Sequence, residues 1–197
     1  MKIAVWMDRG KMVRAAMGEI PCDLTVCNIQ LVNMFSGEVY PAQVDILDGI
    51  IVRVRTDNEC PALPSERIFD GGGRYLIPGF IDSHLHVEST MMVPENFGRA
   101  VLPWGTTTIV MDPHEIANVL GIEGVSFMLD NAKKTPLRQF ALAPSCVPSV
   151  PGAENSGAVF GEEEIARLRS EEHTCELQSR GEHGCRLLLE KKKIYKL

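Results

Sequence analysis

Apolar and polar positions in the first part of the chain form one helical stretch followed by short strand-like stretches. Apolar residues spaced three and four apart predict an amphipathic helix over Asp8–Met17. Alternation of apolar and polar residues predicts three strands, at Asp23–Asn33, Gln43–Leu47 and Ile50–Arg55. The pair Asp48-Gly49 between the last two is a strong signal for a tight hairpin turn. This part of the chain is therefore predicted to form a small β-sheet.

The pattern changes after the glycine run at residues 71–73. Continuous apolar stretches now alternate with helical ones. Strands are predicted at Tyr75–Asp82, Thr106–Met111 and Arg138–Ala143, and helices at Pro94–Leu102 and Ile122–Lys133. Strand–helix repeats of this kind are βαβ units, which build a parallel sheet or barrel. The predicted fold class is α/β.

These patterns divide the chain into successive regions. An N-terminal helix or extension over residues 1–19 precedes the small β domain at 20–72. A proline-rich polar stretch, Asp57–Glu66, is predicted to be a loop. The βα units then occupy residues 73–168.

Residues 169–197 differ in character from the rest of the chain. The run RSEEHTCELQS beginning at Arg169 resembles the conceptual translation of a sequencing-library adapter that continues into poly-A. We expect an artefactual tail here and leave it out of the functional argument. The alternative is an amphipathic C-terminal helix, which Leu187–Lys193 would form readily.

Composition and charge narrow the function further. The 197 residues carry 20 basic and 26 acidic groups, a net charge of −6, which argues against a nucleic-acid surface. Apolar runs are too short to span a bilayer, and the N-terminus has no secretory pattern. The six cysteines include no C-x-x-C pair, so reduced thiols are expected. We expect a cytoplasmic protein that binds neither membrane nor nucleic acid.

Three histidines carry the chemical signal of the βα region. His84, His86 and His114 each follow a predicted parallel strand, at the edge where α/β proteins build their sites. Side chains two apart on a strand point the same way, so His84 and His86 should converge. With Asp82 and Glu88 beside them, they are predicted to form a divalent-cation site.

Two further groups follow later strands. The Asp112-Pro113-His114-Glu115 segment could bind metal, bind substrate or cap the next helix, since acidic residues are common at helix starts. The hydroxyl of Ser145 and the thiol of Cys146 could line a pocket, although a rigid turn explains that segment equally well.

Three motifs together resemble the adenine deaminases of the amidohydrolase superfamily. They are PGFIDSHLHVEST, GTTTIVMDPHEIANVLG and APSCVP, and the resemblance runs from about Cys22 to Leu168. It implies a distorted (β/α)₈ barrel with a small β-sandwich. This chain would then hold the first three or so βα units of the barrel and part of the sandwich.

The resemblance also implies a reaction and a set of site residues. Members of the family hydrolyse adenine, a small-molecule substrate, to hypoxanthine and ammonia, with two metals that are manganese or iron more than zinc. A bound cation serves by lowering the pKa of water. The carried-over roles are His84 and His86 as metal ligands, His114 and Glu115 as catalytic candidates, and Glu88 and Ser145 as substrate contacts.

The chain departs from the family in length. A complete barrel needs about 250 residues, so the ligands of the middle and last strands are missing and the chain is expected to be inactive alone. A full-length parent could form homo-oligomers. Two alternatives stay open: another cyclic-amide amidohydrolase, of the dihydroorotase kind, and a non-catalytic fragment.

Overall fold

The structure is a computed structural model that describes residues 8–56, 63–170 and 174–177. Most of the predicted loop, most of the predicted tail and the alternative C-terminal helix lie outside these residues. The chain falls into two compact units that adjoin in sequence between Pro78 and Gly79.

The first unit is a helix followed by one four-stranded sheet. Helix α1 spans Arg9–Ala16, and the side chain of Asp8 caps it by accepting a hydrogen bond from Lys11 N at 3.1 Å. The strands are β1 (Cys22–Val32), β2 (Val39–Leu47), β3 (Ile50–Thr56) and β4 (Ser65–Leu76). The predicted helix and three strands are confirmed. Among the described residues of this unit there is no second sheet of a sandwich.

Strand β4 was not predicted. The predicted strand Tyr75–Asp82 is wrong, because its residues belong to two separate strands. The sheet order is β3-β2-β1-β4, with β4 parallel to β1 and the other pairs antiparallel. Strand β4 begins inside the predicted loop and continues through the glycine run to Leu76. A separate strand starts only at Phe80.

The glycine run is a bulge within β4 and leaves the strand continuous. Cys27 pairs with Asp70, and Ile29 pairs with Arg74, so the extra residues of β4 loop out between these pairs. Asp70 Oδ1 accepts hydrogen bonds from Gly72 N and Asn28 Nδ2, both at 2.8 Å. These bonds stabilise the bulge. The alternation of apolar and polar residues along the chain does not predict such a bulge.

A buried ion pair joins β2 to the edge strand β3 of this sheet. Asp45 and Arg55 have side chains 0% and 2% exposed, and Arg55 Nε donates to Asp45 Oδ2 at 2.8 Å. Arg55 Nη2 donates to Asp45 Oδ1 at 3.2 Å and to Gln43 Oε1 at 3.0 Å, and Thr25 Oγ1 donates to Asp45 Oδ1 at 2.7 Å. Both oxygens of the carboxylate are therefore satisfied, as a buried charge requires.

The second unit is a parallel sheet with helices between its strands. The strands, in sheet order, are β5 (Phe80–Leu85), β6 (Thr106–Met111), β7 (Arg138–Ala143) and β8 (Thr174–Leu177). The helices are α2 (Pro94–Val101), α3 (His114–Ala132) and α4 (Glu162–Ser170), with short 3-10 turns at Glu88–Thr90 and Leu102–Trp104. The α/β class is confirmed. Strand β8 lies inside the segment that the sequence set apart as a tail, and that assignment stays a prediction.

The core of the second unit lies between α3 and the two central strands. Its fully buried members include Ile109, Met111, Ala141, Ala143 and Val125. The predicted helix over Ile122–Lys133 is confirmed as the later part of α3, where Val125, Met128, Leu129 and Ala132 are all buried. Among the described residues no helix is both long and apolar enough to cross a membrane.

Helix α3 starts eight residues earlier than the predicted Ile122. Gly121 interrupts it with φ 62° and ψ −144°, a conformation that only glycine adopts readily. The periodicity after Gly121 predicted the second helical segment. The first segment, from His114 to Leu120, was missed because the glycine breaks the regular spacing.

Replacing Asp45 by Ala should strongly destabilise the protein. The change leaves the Arg55 guanidinium buried without its counter-charge, which costs about 3–5 kcal/mol. Chemical denaturation of the full chain measures this loss. The double change Asp45→Leu with Arg55→Met removes both charges and should restore most of the stability. A double variant as unstable as Asp45→Ala alone would contradict this account.

Candidate metal centre

Two imidazoles and a carboxylate meet at the carboxyl ends of β5 and β6. His84 lies in β5, His86 follows it, and Asp112 follows β6. One potential ligand atom from each of the three lies within 4.8 Å of the others. The two rings are 5.3 Å apart between centroids, at an interplanar angle of 81°. The expectation that the two imidazoles lie close together is confirmed, although His86 is one residue past the end of the strand.

Strand pairing brings the carboxylate to this place. Leu85 pairs with Met111, and Asp112 N donates a hydrogen bond to Leu85 O at 2.8 Å. This backbone bond fixes Asp112 beside the residue that separates the two histidines. The sequence left Asp112 open between metal, substrate and helix cap. Pro113 occupies the N-cap of α3 without a side-chain cap bond, so Asp112 does not cap the helix.

The environment of Asp112 fits a bound cation. Its side chain is 1% exposed, and its Oδ1 is buried with no hydrogen-bond partner among the described residues. Burial raises the pKa of Asp112, and the nearby imidazoles of His114, His86 and His84 oppose that shift. A buried oxygen without a partner is costly. Imidazole nitrogens together with a carboxylate oxygen suit manganese, iron or zinc, so these residues fit a divalent metal.

A second carboxylate contacts His86 from the start of α3. Glu115 Oε2 lies 2.9 Å from His86 Nδ1, and Glu115 Oε1 accepts a hydrogen bond from Ser89 Oγ at 3.0 Å. Partial burial would raise the pKa of Glu115. The hydrogen bonds from its own backbone and from Ser89, and the interaction with His86, outweigh burial and lower it. Glu115 is therefore an ionised acceptor at neutral pH. This contact of Ser89 was not predicted.

Glu88 is hydrogen-bonded to the same end of α3. Its Oε1 accepts a hydrogen bond from Ile116 N at 3.3 Å, and its Oε2 is buried with no hydrogen-bond partner within the described ranges. Burial raises the pKa of this carboxyl group. One oxygen of Glu88 thus holds the helix start, and the other retains capacity for a further hydrogen bond.

His114, the first residue of α3, lies near Asp112. Its Nδ1 is 3.9 Å from Asp112 Oδ2, and the side chain is 17% exposed. Cys146 Sγ lies 3.6 Å from both ring nitrogens of His114. Ser145, the predicted substrate contact, immediately precedes this cysteine and is half-buried, outside the His84–His86–Asp112 cluster.

The segment that follows β7 is hydrogen-bonded to α3 just before the break at Gly121. Asn118 O accepts hydrogen bonds from Gly157 N at 2.7 Å and Ser156 Oγ at 3.2 Å, while Asn118 Nδ2 donates to His114 O at 3.0 Å. A side chain at Gly157 would place Cβ 2.5 Å from Val119 O, so glycine is needed for this approach. The first helical segment of α3 and the chain after β7 are thereby held together.

Residues 75–186 match the amidohydrolase family, and the chain belongs to that family. The matched span contains all the site residues predicted from the sequence, together with Asp112. It extends past residue 168 into the predicted tail, which begins at Arg169.

The chain is similar to several adenine deaminases. It is 48% identical over 156 residues to adenine deaminase from Moorella thermoacetica, covering 79% of this chain and 26% of that protein. It is 47% identical over 156 residues to adenine deaminase 3 from Rhizobium meliloti, with the same coverage of both. The chain thus spans about a quarter of the length of these relatives.

A solved structure supports the fold alone. Atrazine chlorohydrolase TrzN from Arthrobacter aurescens TC1, complexed with zinc, matches with a TM-score of 0.56 at 17% sequence identity. The match covers 74% of this chain and 41% of that one.

Titration of the full chain with Mn²⁺ tests the cluster directly. His84→Ala removes one donor, and Asp112→Asn replaces the charged carboxylate by a neutral amide. Each change should abolish or strongly weaken binding, measured by calorimetry. Asp130→Asn is the matched control, because that carboxylate lies near the far end of α3 and pairs with Lys133. Equal binding by all of these variants would show that the cation does not bind at this cluster.

Proposed function

We propose that this chain supplies part of the active site of an adenine deaminase. The reaction takes adenine and water to hypoxanthine and ammonia: a C6–O bond forms, the C6–N bond breaks, and the nitrogen leaves with added protons. The observation that carries the proposal is the His84–His86–Asp112 cluster. In it, Asp112 Oδ1 is buried near two imidazoles and has no hydrogen-bond partner among the described residues. The similarity to adenine deaminases selects this substrate among those open to the family.

The proposed cofactor is a divalent metal, manganese or iron before zinc. His84, His86 and Asp112 would hold it. When bound, the metal would lower the pKa of a water molecule and so provide a nucleophile at neutral pH. The mixed nitrogen and oxygen donors among these three residues accommodate each of these metals.

His114 is the group that we propose for proton transfer to the departing nitrogen. An imidazole suits this role because its ordinary pKa lies close to neutral pH. His114 Nδ1 lies 3.9 Å from Asp112 Oδ2, so the ring is next to the cluster. Both oxygens of Glu115, the other catalytic candidate, are already engaged by His86 and Ser89, so we assign it no proton transfer.

Glu88 and Ser145 are the proposed substrate contacts. Glu88 Oε2 is buried without a partner among the described residues, and it lies on the same 3-10 turn as Ser89, next to the cluster. It therefore has capacity to hydrogen-bond a purine nitrogen. The half-buried Ser145 follows β7 at the same edge of the sheet and offers a hydroxyl.

Three ligand residues do not make a complete two-metal site. We therefore propose that the 197-residue chain binds a cation but does not turn over adenine alone. The rest of the site would come from the part of the relatives' length that this chain does not span. A cytoplasmic location, and homo-oligomers of a full-length parent, stay predictions.

A chimera tests whether these residues support the reaction. The segment of the Moorella thermoacetica adenine deaminase that aligns with this chain is replaced by the chain's own residues. Ammonia release is then measured with adenine, and ring opening to N-carbamoylaspartate is measured with dihydroorotate, alongside metal content. The matched control is the same chimera with His84→Ala and His86→Ala.

We expect deamination of adenine by the chimera, no reaction with dihydroorotate, and loss of metal and turnover together in the control. A soluble chimera with full metal content that fails to deaminate adenine would contradict the proposal. Ammonia release with normal metal content in the double histidine variant would contradict the ligand roles.

A further inference from the structure

We infer that Glu115 is a positioning residue of the cation site, which selects the tautomer and orientation of the His86 ring. The inference rests on the proposed function in that it takes His86 to be a metal ligand. It assigns Glu115 a role through another side chain in place of contact with the substrate. The supporting observations are the two bonds that Glu115 makes and their place in the fold.

The hydrogen bond from His86 to Glu115 can run in one direction only. An ionised carboxylate has no proton to donate, so His86 Nδ1, at 2.9 Å from Glu115 Oε2, must carry the hydrogen. A neutral imidazole with its proton on Nδ1 has its lone pair on Nε2. Glu115 therefore leaves Nε2 as the nitrogen available to a cation beside His84 and Asp112.

Glu115 is itself held from two sides. It lies in the first turn of α3, which follows β6, and its Oε1 accepts a bond from Ser89 Oγ, which follows β5. The carboxylate therefore links the ends of two adjacent strands while it orients His86. Carboxylates that bind the second nitrogen of a ligand histidine commonly set its orientation and raise its basicity.

A purely structural role for this pair is disfavoured by its exposure. The side chains of His86 and Glu115 are 34% and 48% exposed, and ion pairs in such positions contribute little to stability. Removal of Glu115 should thus change metal binding without changing the melting temperature. This separation distinguishes positioning from support of the fold.

The test uses the full, metal-free chain labelled with ¹⁵N, at a pH well above the ordinary pKa of histidine. Long-range ¹H–¹⁵N spectra report which ring nitrogen of each histidine carries the proton, and His86→Ala assigns the His86 signals. Mn²⁺ affinity and melting temperature are measured on the same samples. Glu115→Gln is compared with Ser89→Ala and with Glu123→Gln, a matched change at an exposed position on the same helix.

We expect His86 to be protonated on Nδ1 in the unaltered chain and to show a weaker preference in Glu115→Gln, because the neutral amide can donate to Nδ1 as well as accept from it. Mn²⁺ affinity should fall about 10–100-fold in Glu115→Gln, less in Ser89→Ala, and not at all in Glu123→Gln, with melting temperatures unchanged. An unchanged tautomer and affinity in Glu115→Gln would overturn the inference. Absence of Mn²⁺ binding by the unaltered chain would instead overturn the proposed metal site, because the tautomer is read without metal.

Discussion

The parallel pairing of β5 with β6 is the constraint on which the candidate site depends. One backbone bond, from Asp112 N to Leu85 O, places a buried carboxylate next to the residue between two histidines. Neither strand alone contains the cluster: β5 and its continuation provide the imidazoles, and the residue after β6 provides the carboxylate. The α3 packing that buries Val125 and Leu129 holds these strand ends in place. The chemistry thus follows from ordinary sheet pairing and core packing.

Two buried aspartates show how a structural and a functional carboxylate differ. Asp45 accepts hydrogen bonds at both oxygens from Arg55 and Thr25, so its charge is balanced inside the first unit. Asp112 is equally buried, but its Oδ1 has no donor among the residues that the structure describes. Folding alone gives no reason to keep such a group, because an unpaired buried oxygen destabilises the folded state. The proposed cation would account for it.

Much of the fold follows from local patterns, and two of the elements that were missed share one cause. Alternation predicted β1, a continuous apolar run predicted β6, and helical spacing predicted the later part of α3, since these patterns reflect which positions of an element are buried. The glycine bulge in β4 and the break at Gly121 were missed because glycine conformations interrupt the pattern without ending the element. The histidine pair was predictable from its two-residue spacing. Asp112 as its third member, and Ser89 as a partner of Glu115, depend on pairing between distant segments, which spacing does not reveal.

The proposed metal site is tested most directly by identifying the ligands of the bound metal. X-ray absorption at the manganese edge of the metal-loaded chain reports the light-atom ligands and the multiple scattering that imidazole rings produce. We predict a shell of nitrogen and oxygen donors that includes two imidazoles. A shell of oxygen donors without imidazole scattering would contradict the account.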